Sequence, residues 1–295
     1  MQNKTKTALL IVFFLVFYSV FGYINYINYG KPNNTQDFNF HWNKIKGLTK
    51  ESYPELHHFI FSFFAFNEYT YYLANIILII VLIPFLLFKL TKNFWSILIY
   101  FFSTSLSHAL IYGATYPQTL ILVFFLIYLL NRYNFGLLIL LLILSGITHK
   151  SGAALFIVIL LYEFISVWLE TLIKSIKLKQ KICSVGFLWG TKITSFFQVF
   201  ELLFFVLPIP IIYFGLKKIN KNHLFIYLSF ISLLAAVMID FRAISIMQIC
   251  FIILAAEQIK ESKPIIQKGF ILFSITQLIL YFYFFVLGTI RLFVN

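Results

Sequence analysis

The segment MQNKTKTALLIVFFLVFYSVFGYI, residues 1–24, opens on Lys4 and Lys6 and continues as an apolar run over residues 7–27. A secretory signal would follow such a run with a small-residue cleavage site, and none precedes Tyr26-Ile27-Asn28. The run also approaches the ~20 residues of a full bilayer crossing. It is expected to stay as a first membrane helix, with its two lysines on the cytoplasmic side.

The pattern recurs along the chain. Of 295 residues, 61% are hydrophobic, 20% aromatic and 11% charged, and the mean hydropathy is +0.91. That is far more apolar surface than a soluble core of this size can bury. Further apolar runs fall at 70–90, 94–112, 117–131, 135–149, 151–172, 194–216, 222–239, 241–258 and 267–292. With ~20 residues per crossing, these predict an all-α, polytopic transmembrane bundle of about 10 segments, roughly 8 to 11. No repeat or linker divides the chain, so residues 1–295 are read as one transmembrane domain.

The formal net charge of +13 comes from lysines clustered between apolar runs. There they meet lipid phosphates and set topology, which argues against nucleic-acid binding. Cys183 and Cys250 are too far apart in sequence to suggest a metal knuckle or disulfide framework. The lysine bias puts the N-terminus in the cytoplasm and residues 35–59 outside. Topology over 173–221 stays open, because the clusters Lys174–Lys192 and Lys217–Lys221 both favour the inside.

The outside loop, TQDFNFHWNKIKGLTKESYPELHHF, residues 35–59, holds Asp37, one of two aspartates in the chain. From Asp37 onward, Phe38, Trp42, Ile45 and Leu48 recur at helical spacing, predicting a short amphipathic surface helix with Trp42 at headgroup level. A second helix is expected from Pro54, carrying Glu55, His57 and His58 before it turns apolar at Phe59. Asp37 then caps the surface helix or does chemistry beside it. Asp37 and His41 are one turn apart and could share a divalent metal with His57 or His58. The absence of an HxxxH or DxD pair makes that the less favoured reading, and no cofactor is required.

Several other polar groups interrupt the apolar runs. Asp240 and Arg242 lie together in one, and His149-Lys150 ends another. Glu163 and Glu201 suit interhelical pairing with a lysine or serine better than a polar pathway, and His108 suits interhelical hydrogen bonding.

Three stretches carry a resemblance: Asp37-Phe38-Asn39-Phe40-His41 followed by Tyr53-Pro54-Glu55-Leu56-His57-His58; Ala114-Thr115-Tyr116-Pro117-Gln118; and Ser145-Gly146-Ile147-Thr148-His149-Lys150-Ser151. In this order the chain resembles the GT-C superfamily of integral-membrane glycosyltransferases over about residues 1–170, with the helices of about 194–292 similar only in general topology. The resemblance implies a donor sugar carried on polyprenyl phosphate in the membrane, and a glycan, lipid or protein acceptor. It implies Asp37 as general base, accepting the acceptor hydroxyl's proton in an inverting transfer. It also implies substrate- or phosphate-binding roles for His41, Tyr53, His57 and His58, and residence as a multi-pass protein in a prokaryotic plasma membrane. A departing phosphate calls for fixed cations, for which Arg242 and His149-Lys150 are the candidates; the alternatives are that Asp240 and Arg242 merely end two helices and that Lys150 is an interfacial anchor. The chain departs from the superfamily in lacking a second acidic or DxD motif and a large extracytoplasmic domain.

Three other readings compete. Multi-spanning exopolysaccharide polymerases are similar in size, in their first loop and in a helix end like His149-Lys150-Ser151. They usually carry an arginine before the glutamine corresponding to Gln118, where this chain has Pro117. A transporter would use Glu163, Glu201, Asp240 and Arg242 as coupling groups, and a non-catalytic membrane subunit is the remaining alternative.

Overall fold

The computed structural model describes residues 2–33, 36–48, 56–103, 116–132, 134–176, 209–219, 223–238 and 244–281, and every regular element among them is helical. Among the described residues, two helices are long and apolar enough to cross a bilayer: α1, Gln2–Tyr29, through its segment Lys4–Tyr29, and the continuous helix α4, Glu68–Thr91. Between them lie two short helices, α2 (Gln36–Ile45) and α3 (Leu56–Ser62). Then come α5 (Phe94–Phe102), α6 (Tyr116–Leu130), α7 (Phe135–Thr148), α8 (Lys150–Ile176), α9 (Ile209–Ile219), α10 (His223–Met238), α11 (Ile244–Lys260) and α12 (Pro264–Tyr281). Where described, the apolar runs after α4 thus form helices. The apolar stretches of α6, α7, α8 and α12 are shorter than those of α1 and α4.

Helix α4 starts at a reciprocal cap. Asn67 Oδ1 accepts from Thr70 N–H at 2.8 Å, and Asn67 N–H donates to Thr70 Oγ1 at 2.9 Å. At Leu78–Leu82 it widens into a π turn, where Ile83 N–H reaches Leu78 O. The cause is Pro84, which has no N–H to continue the regular ladder. Ile79 O accepts instead from the Tyr100 hydroxyl of α5 at 2.9 Å, so the irregular turn is pinned by the next helix.

Close approach of α1 and α4 depends on Gly22. A Cβ there would lie 2.0 Å from the Tyr72 ring, and Tyr72 donates its hydroxyl to Tyr18 O at 3.2 Å. Gly215 of α9 similarly admits Phe251 of α11, with 2.3 Å between a built Cβ and the ring. Helix α11 packs against α5, α9, α10 and α12, and Cys250–Ala256 within it are buried throughout. Asn93, which caps α5, joins the two halves by donating to Ala256 O at 2.9 Å.

Helices α6, α7 and α8 pack on one another, α7 turning back from α6. Gly152 at the start of α8 lies against Ile121 of α6 and Ser145 of α7. Further along the pair α6 and α8, Arg132 Nε donates to Glu163 Oε1 at 2.9 Å, and the Tyr128 hydroxyl donates to the same oxygen. Glu163 therefore pairs with arginine and tyrosine, where the sequence suggested lysine or serine. The largely buried carboxylate is held by Tyr128 of α6 and by Arg132 just beyond that helix, as its desolvation requires.

Candidate functional site

Helix α2 is amphipathic as expected, but its apolar face turns onto protein. Phe38 and Trp42 are buried, and both rings sit against Tyr71 of α4, with centroids 5.5 and 6.0 Å away. Trp42 is only 9% exposed, while Lys46 Nζ covers its ring at 4.7 Å from the centroid. Trp42 is thus packed on protein instead of standing free as an interfacial anchor, while Leu48 just beyond the helix is 74% exposed.

This docking brings three histidines together. His41 of α2 and His58 of α3 share a hydrogen bond, Nδ1 to Nε2 at 3.0 Å. His57 Nε2 faces Asn75 Oδ1 of α4 at 3.2 Å, and the His57 ring stacks on Phe61 at 4.4 Å. All three histidines are buried. Asn75 fixes the protonation pattern of His57. Its amide N–H donates to Tyr71 O at 2.9 Å, so its Oδ1 accepts and His57 Nε2 carries the hydrogen. Burial, reinforced by neighbouring His58 and opposed by the Asn75 bond, pushes the His57 imidazole down to about 3. His57 is neutral at physiological pH, and its Nδ1 is a bare lone pair.

Helix α3 packs on α6 and α7. Because α7 returns antiparallel to α6, the start of α6 and the end of α7 share one end of the bundle, and the links between α1, α2, α3 and α4 bring the histidines there. His149 stands at the corner between α7 and α8 in extended backbone, its N–H donating to Ser145 O at 2.9 Å and its carbonyl accepting from Gly152 N–H at 2.8 Å. Gln118, Thr119, Ser145, Thr148 and His149 are all buried around this corner.

Of the residues singled out from sequence, His41, His57 and His58 converge, and His149 lies at the same end of the bundle. Asp37 belongs to the first turn of α2, one turn before His41, and Lys150 is the first residue of α8; the side chains of both lie outside the described residues. Tyr53, Asp240, Arg242, Glu201 and His108 lie outside them entirely. No group of three metal-ligating side chains is assembled among the described residues. Instead, His41 Nδ1 pairs with His58 Nε2, and His57 Nε2 pairs with Asn75.

Asn75 is the partner that sequence reasoning passed over. Its signal was available: it is an amide inside the apolar run of α4, where a polar group at membrane depth needs an interhelical partner.

No protein-family model, curated protein or solved structure matches this chain. The functional reading therefore rests on the arrangement of its own residues.

Proposed function

We propose that this protein is a polytopic membrane glycosyltransferase of GT-C-like design, with about ten membrane segments. In this reading it takes a sugar from a polyprenyl-phosphate carrier at the outer face of a prokaryotic plasma membrane, with its N-terminus in the cytoplasm. The supporting observation is the convergence of His41, His57 and His58, from two short helices, with Asn75 at one end of an otherwise apolar bundle, one helical turn from Asp37. In this reading, the polar cluster lies at the depth where a lipid carrier presents its headgroup.

In the proposed reaction the Asp37 carboxylate accepts the proton of the acceptor hydroxyl. The acceptor oxygen forms a bond to the anomeric carbon from the face opposite the phosphate. The bond from that carbon to the phosphate oxygen breaks, and its electron pair leaves with polyprenyl phosphate, inverting the anomeric centre. General-base assistance of this kind contributes about 10²–10⁴ in rate. Negative charge growing on the departing phosphate is met by hydrogen-bond donors and cations, for which His41, His58, Tyr53, His149, Lys150 and Arg242 are the assigned candidates. No metal is assigned to this site.

The test is transfer from a panel of radiolabelled lipid-phosphate sugars by purified protein, wild type beside Asp37→Asn. Wild type should transfer from at least one donor, and Asp37→Asn should be slower by at least about 10². A variant as fast as wild type removes Asp37 from the role of base, and failure of every donor removes the activity.

A further inference from the structure

Where α3 meets α6 and α7, His57 Nδ1 on α3, Gln118 Oε1 on α6 and Ser145 Oγ on α7 are buried and have no hydrogen-bond partner among the described residues. Their residues are more than nine-tenths buried, at 0%, 7% and 0% exposure, and α3 packs on both α6 and α7. Ser145 and Ile121 both meet Gly152 at the start of α8. Gln118 is one turn before Ile121, so it belongs to the same junction.

Folded chains rarely leave such groups unmade, and three on adjoining helices mark a place where another molecule completes the bonds. The character of the missing partner follows from the atoms. Gln118 Oε1 is a carbonyl oxygen. His57 Nδ1 is a lone pair, because the ring hydrogen is spent on Asn75. Ser145 Oγ can accept or donate. What these three atoms call for is therefore chiefly donors. An ionised phosphate or carboxylate brings only acceptors and would face them unfavourably.

We propose that this junction holds the transferred sugar, and that the sugar is an uncharged, hydroxyl-rich ring whose O–H groups donate to His57 Nδ1 and Gln118 Oε1 and pair with Ser145 Oγ. This rests on the glycosyltransferase reading above and adds the class of sugar to it. A uronic acid would turn carboxylate oxygens toward the same acceptors. A site built around buried hydrogen bonds to hydroxyls discriminates strongly against a ligand that leaves them unpaired.

The test measures binding to wild type in nanodiscs of farnesyl phosphate, farnesyl-phosphate glucose, farnesyl-phosphate mannose and farnesyl-phosphate glucuronic acid. At least one neutral sugar should tighten binding about tenfold or more over bare farnesyl phosphate, and glucuronic acid should add nothing. Ser145→Ala and Gln118→Leu should lose the sugar's increment while binding bare farnesyl phosphate as wild type does. Ser145→Ala removes a single oxygen, so it and the wild-type selectivity decide the matter if Gln118→Leu does not fold. If glucuronic acid binds as tightly as the neutral sugars, if Ser145→Ala keeps the increment, or if a neutral sugar adds nothing, the inference is overturned. In the last case water alone satisfies these atoms. In all three cases the glycosyltransferase reading survives if lipid phosphate binds and transfer proceeds. If even farnesyl phosphate fails to bind, both fall.

Discussion

His41 Nδ1 lies 3.0 Å from His58 Nε2, joining two short helices across 17 residues of sequence. Both rings are buried, and the neighbouring His57 is neutral with its lone pair turned inward. The joint holds α2 against α3, and through α3 it couples the helix that carries Asp37 to the ends of α6 and α7.

Burial of His57 makes stability depend on pH with a definite sign. Unfolded, the imidazole takes a proton near its ordinary value of 6.5; folded, it resists until about 3. The unfolded state thus binds more protons between these limits. Stability is complete above about 6.5, falls as the pH drops toward 3, and loses nothing further from this group below that. The expected slope is about 1.4 kcal/mol per pH unit. Thermal melts of wild type and His57→Gln between pH 7.5 and pH 4 check it: the variant should show a shallower decline, and equal slopes would place the acid sensitivity elsewhere.

Two glycines should respond differently to alanine. A Cβ at Gly22 meets the Tyr72 ring at 2.0 Å, whereas one at Gly152 meets the backbone oxygen of Ser145 at 2.7 Å. Each substitution should cost about 1–3 kcal/mol. Shortening the obstructing ring with Tyr72→Leu should recover part of the loss at Gly22. Trimming Ile121 should recover little at Gly152, because the backbone obstacle remains. Denaturation of the single and double variants in detergent measures both couplings; a Gly152→Ala protein as stable as wild type would contradict the close packing of α7 and α8.

The ion pair between Arg132 and Glu163 has side chains only 28% and 11% exposed, and Tyr128 donates to the same carboxylate. Glu163→Leu strands a guanidinium and a hydroxyl in a low-dielectric setting and should cost about 3 kcal/mol. The double variant Arg132→Leu/Glu163→Leu should be less damaging than either single change, because neither charge is left alone. A double-mutant cycle on unfolding free energy reads this directly; additive losses would show that the pair is uncoupled.

Much of the helical organisation was legible from residues 1–24 onward. The run after Lys6 became α1, and that of 70–90 became the core of α4. The spacing of Phe38 and Trp42 announced α2, and Asn67, Asn93 and Asn134 cap the helices that follow them. These are local matters: periodicity, capping and the missing N–H of Pro84 act within a few residues.

The candidate site was legible only as separate pieces. His41, His57, His58 and His149 stood out because imidazoles are uncommon in an apolar chain, yet nothing in the sequence paired His41 with His58, and a metal shared by Asp37 and His41 with His57 or His58 was only the less favoured reading. Asn75 drew no attention, although its amide decides which nitrogen of His57 bears hydrogen. Trp42 reads as an interfacial anchor until Tyr71 is seen beside it.

By itself the sequence determined an all-α chain and where its long apolar helices fall, because apolar length and turn chemistry are local properties. Only the tertiary structure decided which polar groups meet: His41 with His58, His57 with Asn75, Arg132 with Glu163. Those pairings depend on helices approaching across 17, 18 and 31 residues of chain, through glycine gaps and a proline-induced turn. In an apolar interior these groups take the partners that packing brings within reach.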